Sequence, residues 1–119
     1  MKRLIECACA TAAALALMTG AAQAHAHLVG ATPAVDGKVQ GSPRDLKLSF
    51  TEGVVAKLSG VALTDAAGHV IATGPVSADG KVVTVPIKAT LAPGAYSVEW
   101  HAVAADTHRS TGHFGFTVN

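Results

Sequence analysis

In Tyr96-Ser97-Val98-Glu99-Trp100-His101, bulky apolar residues alternate strictly with polar ones. A period of two sends successive side chains to opposite faces of a strand. Tyr96, Val98 and Trp100 therefore share one face, and Ser97, Glu99 and His101 the other. Phe114, Phe116 and Val118 repeat the pattern at the end of the chain. A helix would scatter these apolar residues around its axis, so this third of the chain reads as sheet. The spacing predicts two strands, joined through residues 105–112, that pair as antiparallel neighbours.

The rest of the chain carries the same signature in shorter pieces. Gly, Pro, Asp and Ser punctuate it every eight to twelve residues or so, the rhythm of a sandwich or barrel. Leu28 to Ala31 forms a first strand, ended by Thr32-Pro33-Ala34-Val35-Asp36-Gly37, and Leu46-Lys47-Leu48-Ser49-Phe50 alternates as a half-buried strand should. Val61 to Thr64 and His69 to Ala72 flank Asp65-Ala66-Ala67-Gly68, which reads as a hairpin turn. Asp79-Gly80 opens a strand running from Lys81 to Ile87. Val54 to Leu58 fits a helical turn or an irregular edge equally well. The expected fold is all-β: a Greek-key barrel or sandwich, cupredoxin-like or immunoglobulin-like.

Residues 1–24 have the layout of a cleaved secretory signal. Lys2 and Arg3 precede an apolar run, Ala10 to Met18, and Ala22-Gln23-Ala24 is a small-x-small cleavage site. The apolar run is short for a bilayer span. Cleavage after Ala24 predicts one exported domain, residues 25–119. Both cysteines, Cys7 and Cys9, and both methionines, Met1 and Met18, fall in the signal. The mature domain thus has no disulfide to form and must hold together by burial alone. Without Lys2, Arg3 and Glu6, the nine basic and eight acidic residues of the chain become seven of each. That balance gives no basic stripe for nucleic acid and no basic amphipathic segment for a membrane surface. A monomer is expected.

All six histidines lie in the mature part. Cleavage would expose His25-Ala26-His27-Leu28, and an amino-terminal histidine chelates through its α-amine and its Nδ1 without help from a fold. The amine has a reference pKa of about 7.7–8.0, so a metal displaces its proton near neutrality. A flat nitrogen chelate suits the tetragonal preference of copper(II). Asp106-Thr107-His108 is the expected second half: in an extended segment, residues two apart face the same side, so Asp106 and His108 can meet one ion. Three nitrogens and one oxygen match copper(II) better than structural zinc, and the lack of sulfur ligands argues against copper(I).

These residues carry a resemblance. His25 after the cleavage site, Thr32-Pro33-Ala34 with a following glycine, Phe50-Thr51-Glu52 and Pro93-Gly94-Ala95-Tyr96-Ser97-Val98-Glu99-Trp100 resemble the CopC family of periplasmic copper-binding proteins. So does the ending, Asp106-Thr107-His108 followed by Gly112-His113-Phe114-Gly115-Phe116-Thr117-Val118. The resemblance covers essentially all of residues 25–119. It implies a cupredoxin-like barrel, a copper(II) site built from the His25 amine and imidazole with Asp106 and His108, and exchange with a CopD-like inner-membrane protein. Two departures stand out. Some relatives bind copper(I) through a methionine-rich loop, which this chain lacks, so a cupric-only member is expected. His101 stands where the family usually has arginine after the tryptophan.

Other candidates have bland alternatives. His27 could bind in a tripeptide mode, with the amine and two deprotonated amides, because Ala26 is not a proline; that mode would compete with the folded site. Glu52 could accept a hydrogen bond from a ligand imidazole or touch the metal weakly. His101 and His113 read as structural or surface residues with a lesser metal or supporting role, and His69 as solvated. The expected function is binding: capture, buffering or delivery of copper(II) in copper homeostasis and resistance. The alternative is a small copper oxygenase with an amino-terminal histidine brace. That enzyme needs an open coordination position and an aromatic platform, which one Trp and one Tyr, both read as core, supply poorly.

Overall fold

The computed structural model describes residues 26–119. The predicted signal, its cleavage site and cysteines, and His25 itself lie outside the described residues. Two sheets form. The first takes β1 (Leu28–Thr32), β3 (Asp45–Phe50), β6 (Ser77–Asp79) and β7 (Val82–Pro86) in the order β1-β3-β7-β6, all antiparallel. The second takes β2 (Lys38–Val39), β4 (Gly60–Asp65), β5 (Val70–Ile71), β8 (Gly94–Val103) and β9 (Arg109–Val118) in the order β2-β9-β8-β4-β5. Only β2 runs parallel to its neighbour, β9. The ladders make two separate sheets, so of the two expected forms the chain adopts the Greek-key sandwich, not the closed barrel.

Alternation decides what the sandwich buries. Leu46, Leu48 and Phe50 of β3 and Val83 and Val85 of β7 face Leu63 of β4, Tyr96, Val98 and Trp100 of β8, and Phe114, Phe116 and Val118 of β9. No polar or charged residue is buried among the described residues, so apolar burial holds the domain together. In β8–β9 the register sets Tyr96 opposite Phe116, Val98 opposite Phe114 and Trp100 opposite Gly112. The Tyr96 and Phe116 rings stack with centroids 5.7 Å apart, and Phe50 meets Trp100 edge-on at 5.1 Å. The Tyr96 hydroxyl donates to the Ala92 carbonyl at 2.7 Å, closing a corner of the kind seen in immunoglobulin-like sandwiches.

Two local expectations change, and a third resolves. Asp79 ends β6, and Gly80 with φ of 59° begins a tight turn into β7, so the strand starts at Val82, not Lys81. The β8–β9 connection is residues 104–108 only, shorter than expected, because both strands continue to the Val103–Arg109 pair. Val54 to Leu58 takes both of its expected forms: Val54 bridges Ala104, and Ala56–Leu58 is a 3-10 turn.

Candidate metal centre

The tip of the β8–β9 hairpin is a tight, heavily bonded turn. The Thr107 amide donates to the Ala104 carbonyl at 2.9 Å, and the Ala104 amide to the His108 carbonyl at 3.1 Å. Asp106 closes it with both carboxylate oxygens: Oδ1 accepts the His108 amide at 3.1 Å, and Oδ2 lies 3.0 Å from His108 Nδ1. The His108 side-chain bond, then its amide, holds the Asp106 carboxyl below the ordinary aspartate range. Thr107, a β-branched residue, sits at φ of 73°, a conformation such residues seldom adopt. Alternation along an extended segment would put Asp106 and His108 on one side. The structure brings them together instead through an Asx turn around the left-handed Thr107.

The pair sets one imidazole nitrogen and one carboxylate oxygen side by side at the surface. Donor bonds of about 2.0–2.1 Å at right angles set neighbouring donors about 2.9 Å apart. The observed 3.0 Å between Oδ2 and Nδ1 is a hydrogen bond, which an ion bound to both atoms would replace without moving them far, and the side chains are 48% and 54% exposed. Among the described residues no three His, Cys, Asp or Glu side chains converge as a metal cage. Asp106 and His108 are a pair of candidate donors, not a complete cage.

The amino-terminal arm is tied down close to the same end of the sandwich. Ala26 is fully buried in the core. His27 is exposed, but its backbone is held twice: its amide donates to Thr51 Oγ1 at 2.9 Å, and its carbonyl accepts the Thr51 amide at 2.9 Å. A groove of about 530 Å³ separates Ala26 to Leu28 from the first half of β9, Arg109 to His113, with Trp100 in its wall. Trp100 Nε1 and Ser110 Oγ are buried there with no hydrogen-bond partner among the described residues. Nothing in the strand pattern announced the Thr51 contact; the only signal was that Phe50-Thr51-Glu52 belonged to the resemblance.

The remaining candidates are dispersed. Glu52 is exposed in the bend after Thr51. His101 lies across Gly60 on the outer face of the second sheet, where a Cβ on that glycine would overlap the imidazole. His113 pairs with Glu99 on the same outer face and borders the arm's groove. His69 is solvated and stands 3.4 Å from Asp65 in the β4–β5 turn. The Asp65 carboxyl, which accepts the His69 and Ala67 amides, is held low chiefly by the first of these.

Residues 28–119 match the CopC domain. This chain belongs to the CopC family. Among curated relatives of this CopC-family chain, Protein YobA of Escherichia coli K12 is 38% identical over 105 residues, covering 86% of this chain and 85% of that one. Copper resistance protein C of Pseudomonas syringae pv. tomato is 34% identical over 110 residues, covering 86% of each. Among solved structures, PcoC of E. coli, described as a methionine-rich copper resistance protein, superposes with a TM-score of 0.73 at 34% identity. That match covers 81% of this chain and all of PcoC. CopC of Methylosinus trichosporium OB3b gives a TM-score of 0.75 at 28% identity, covering 80% and 94%.

Proposed function

We propose that this CopC-family chain is a periplasmic copper-binding protein, working by capture and release instead of turnover. It takes one copper(II) in copper homeostasis and resistance. The mature chain begins at His25. Its α-amine and imidazole supply two donors, and the tip of the β8–β9 hairpin supplies His108 and Asp106. A CopD-like membrane protein is the partner for exchange.

The observation that supports this reading is the Asp106–His108 pair, held side by side at a hydrogen-bonded hairpin tip close to the buried Ala26 that follows His25. The oxidation state follows from donor chemistry. Outside Met1 and Met18, and Cys7 and Cys9, the chain has no sulfur, whereas PcoC is described as methionine-rich. Imidazole, amine and carboxylate favour the cupric ion.

The test is a copper(II) competition titration on protein beginning at His25 and on protein with one glycine added ahead of it. The extra residue turns the α-amine into a peptide nitrogen, so affinity should fall severely. Equal affinity in the two forms would rule out the amino-terminal chelate.

A further inference from the structure

His25-Ala26-His27 offers a metal a second way to bind, and the fold obstructs it. In a tripeptide chelate, the α-amine, the amide nitrogens of residues two and three and the imidazole of residue three surround the ion in one plane. Each amide nitrogen releases its proton to solvent as its bond to the metal forms. The sequence permits all of this, since neither Ala26 nor His27 is a proline.

The arm is held in a shape that occupies one of those amide nitrogens, that of His27. The nitrogen needed from His27 donates its proton to Thr51 Oγ1 at 2.9 Å, and the carbonyl of the same residue accepts the Thr51 amide at 2.9 Å. Beyond this clasp, Leu28 enters the ladder opposite Phe50. On the other side, the Ala26 side chain is sealed in the core. Wrapping the three residues around one ion would break the Thr51 bonds and lift Ala26 out of its packing.

We infer that Thr51 is a positioning residue for coordination mode: its hydroxyl, by occupying the His27 amide, directs the metal away from the tripeptide and toward the hairpin tip. The inference rests on the proposed site at His25, Asp106 and His108, and adds a determinant outside it. Thr51 itself is exposed. Its hydroxyl is therefore a removable latch on a selection that sequence alone leaves open. A hydrogen bond of ordinary strength biases such a choice by about two- to tenfold.

The experiment uses protein beginning at His25, copper(II) as the probe, and variants Thr51→Ala and Thr51→Ser, each in wild-type and His108→Ala backgrounds. In His108→Ala alone, copper affinity should be low, because the tip donor is gone and the clasp still blocks the tripeptide. Thr51→Ala added to it should bind several-fold tighter. Its visible band should move to higher energy and its paramagnetic resonance spectrum should show four nitrogen donors. Adding His27→Ala should erase that gain. Thr51→Ser keeps the hydroxyl and should behave as threonine does. A purely structural role for Thr51 would not make binding tighter or add nitrogens. Identical affinity and spectra for His108→Ala with and without Thr51→Ala would overturn the inference. A four-nitrogen spectrum already present in wild type, sensitive to His27→Ala and indifferent to His108→Ala, would overturn the inference and the proposed site together. Equal affinity in the glycine-extension test would strike the proposed site and with it the inference, whereas a null Thr51→Ala result beside a passed glycine test would strike the inference alone.

Discussion

Replacing Gly112 by alanine should damage the domain far more than one methyl group suggests. A Cβ at Gly112 would stand 2.5 Å from Cζ2, 2.7 Å from Cε2 and 3.0 Å from Nε1 of Trp100. Non-bonded carbons settle at about 3.5–4.0 Å, so the indole must retreat by roughly 1 Å. Phe50 stands in the way, edge-on at 5.1 Å. Overpacking costs about 1–3 kcal/mol, and three close atoms on a rigid ring point to the upper part, about 2–3 kcal/mol. For a domain this size each 1 kcal/mol moves Tm by about 4–8 °C, so the expected loss is about 10–20 °C. Gly30→Ala is the control. It has nothing within 4 Å of the new Cβ and should melt unchanged or slightly higher. Thermal unfolding of the apo-protein by circular dichroism gives the comparison, with emission from Trp100, the sole tryptophan, reporting on the ring. A Gly112→Ala protein melting within about 4 °C of wild type, a shift of 1 kcal/mol or less, with unchanged emission, would refute the packing argument.

Three further outcomes are expected. His108→Ala and Asp106→Ala should both weaken copper(II) binding, the histidine change more, while apo Tm hardly moves because both side chains lie outside the core; a competition titration beside thermal melts checks this. Copper(I) affinity should be negligible, since imidazoles are the softest donors left, and competition against a copper(I) chelator would reveal any retention. By carboxyl NMR, Asp106 should titrate below the ordinary aspartate range, so its contact with His108 supports the turn above that range and is lost as pH falls through the depressed value; His108→Ala should move the titration back up.

The strands that can be read from sequence are those whose burial differs from one face to the other. Tyr96-Val98-Trp100 and Phe114-Phe116-Val118 each have one dry face and one wet face, and alternation is the trace this leaves. Ser77–Asp79 and Lys38–Val39 bury little, so β6 and β2 leave no such trace and exist because a neighbouring strand offers them an edge. At the candidate site, residue types pointed to Asp106 and His108, but local geometry did not follow from periodicity. An aspartate two residues before the amide it accepts is turn chemistry, and that cue competes with alternation. The Thr51–His27 clasp joins residues 24 apart through a side-chain hydroxyl, and no spacing rule anticipates it.

The hairpin tip also bears on how fast an ion could leave. Asp106 and His108 are about half exposed, on the turn that closes the β8–β9 hairpin. At the proposed site an acceptor could therefore approach from solvent and replace the two side chains one at a time through a shared intermediate, with no strand separating and no core exposed. Release would be an associative ligand exchange. Its rate should climb with acceptor concentration instead of levelling off at the rate of some local opening of the fold. A small domain with a stiff apolar core could in this way hold its cargo tightly at equilibrium and still pass it on quickly when a competent partner arrives.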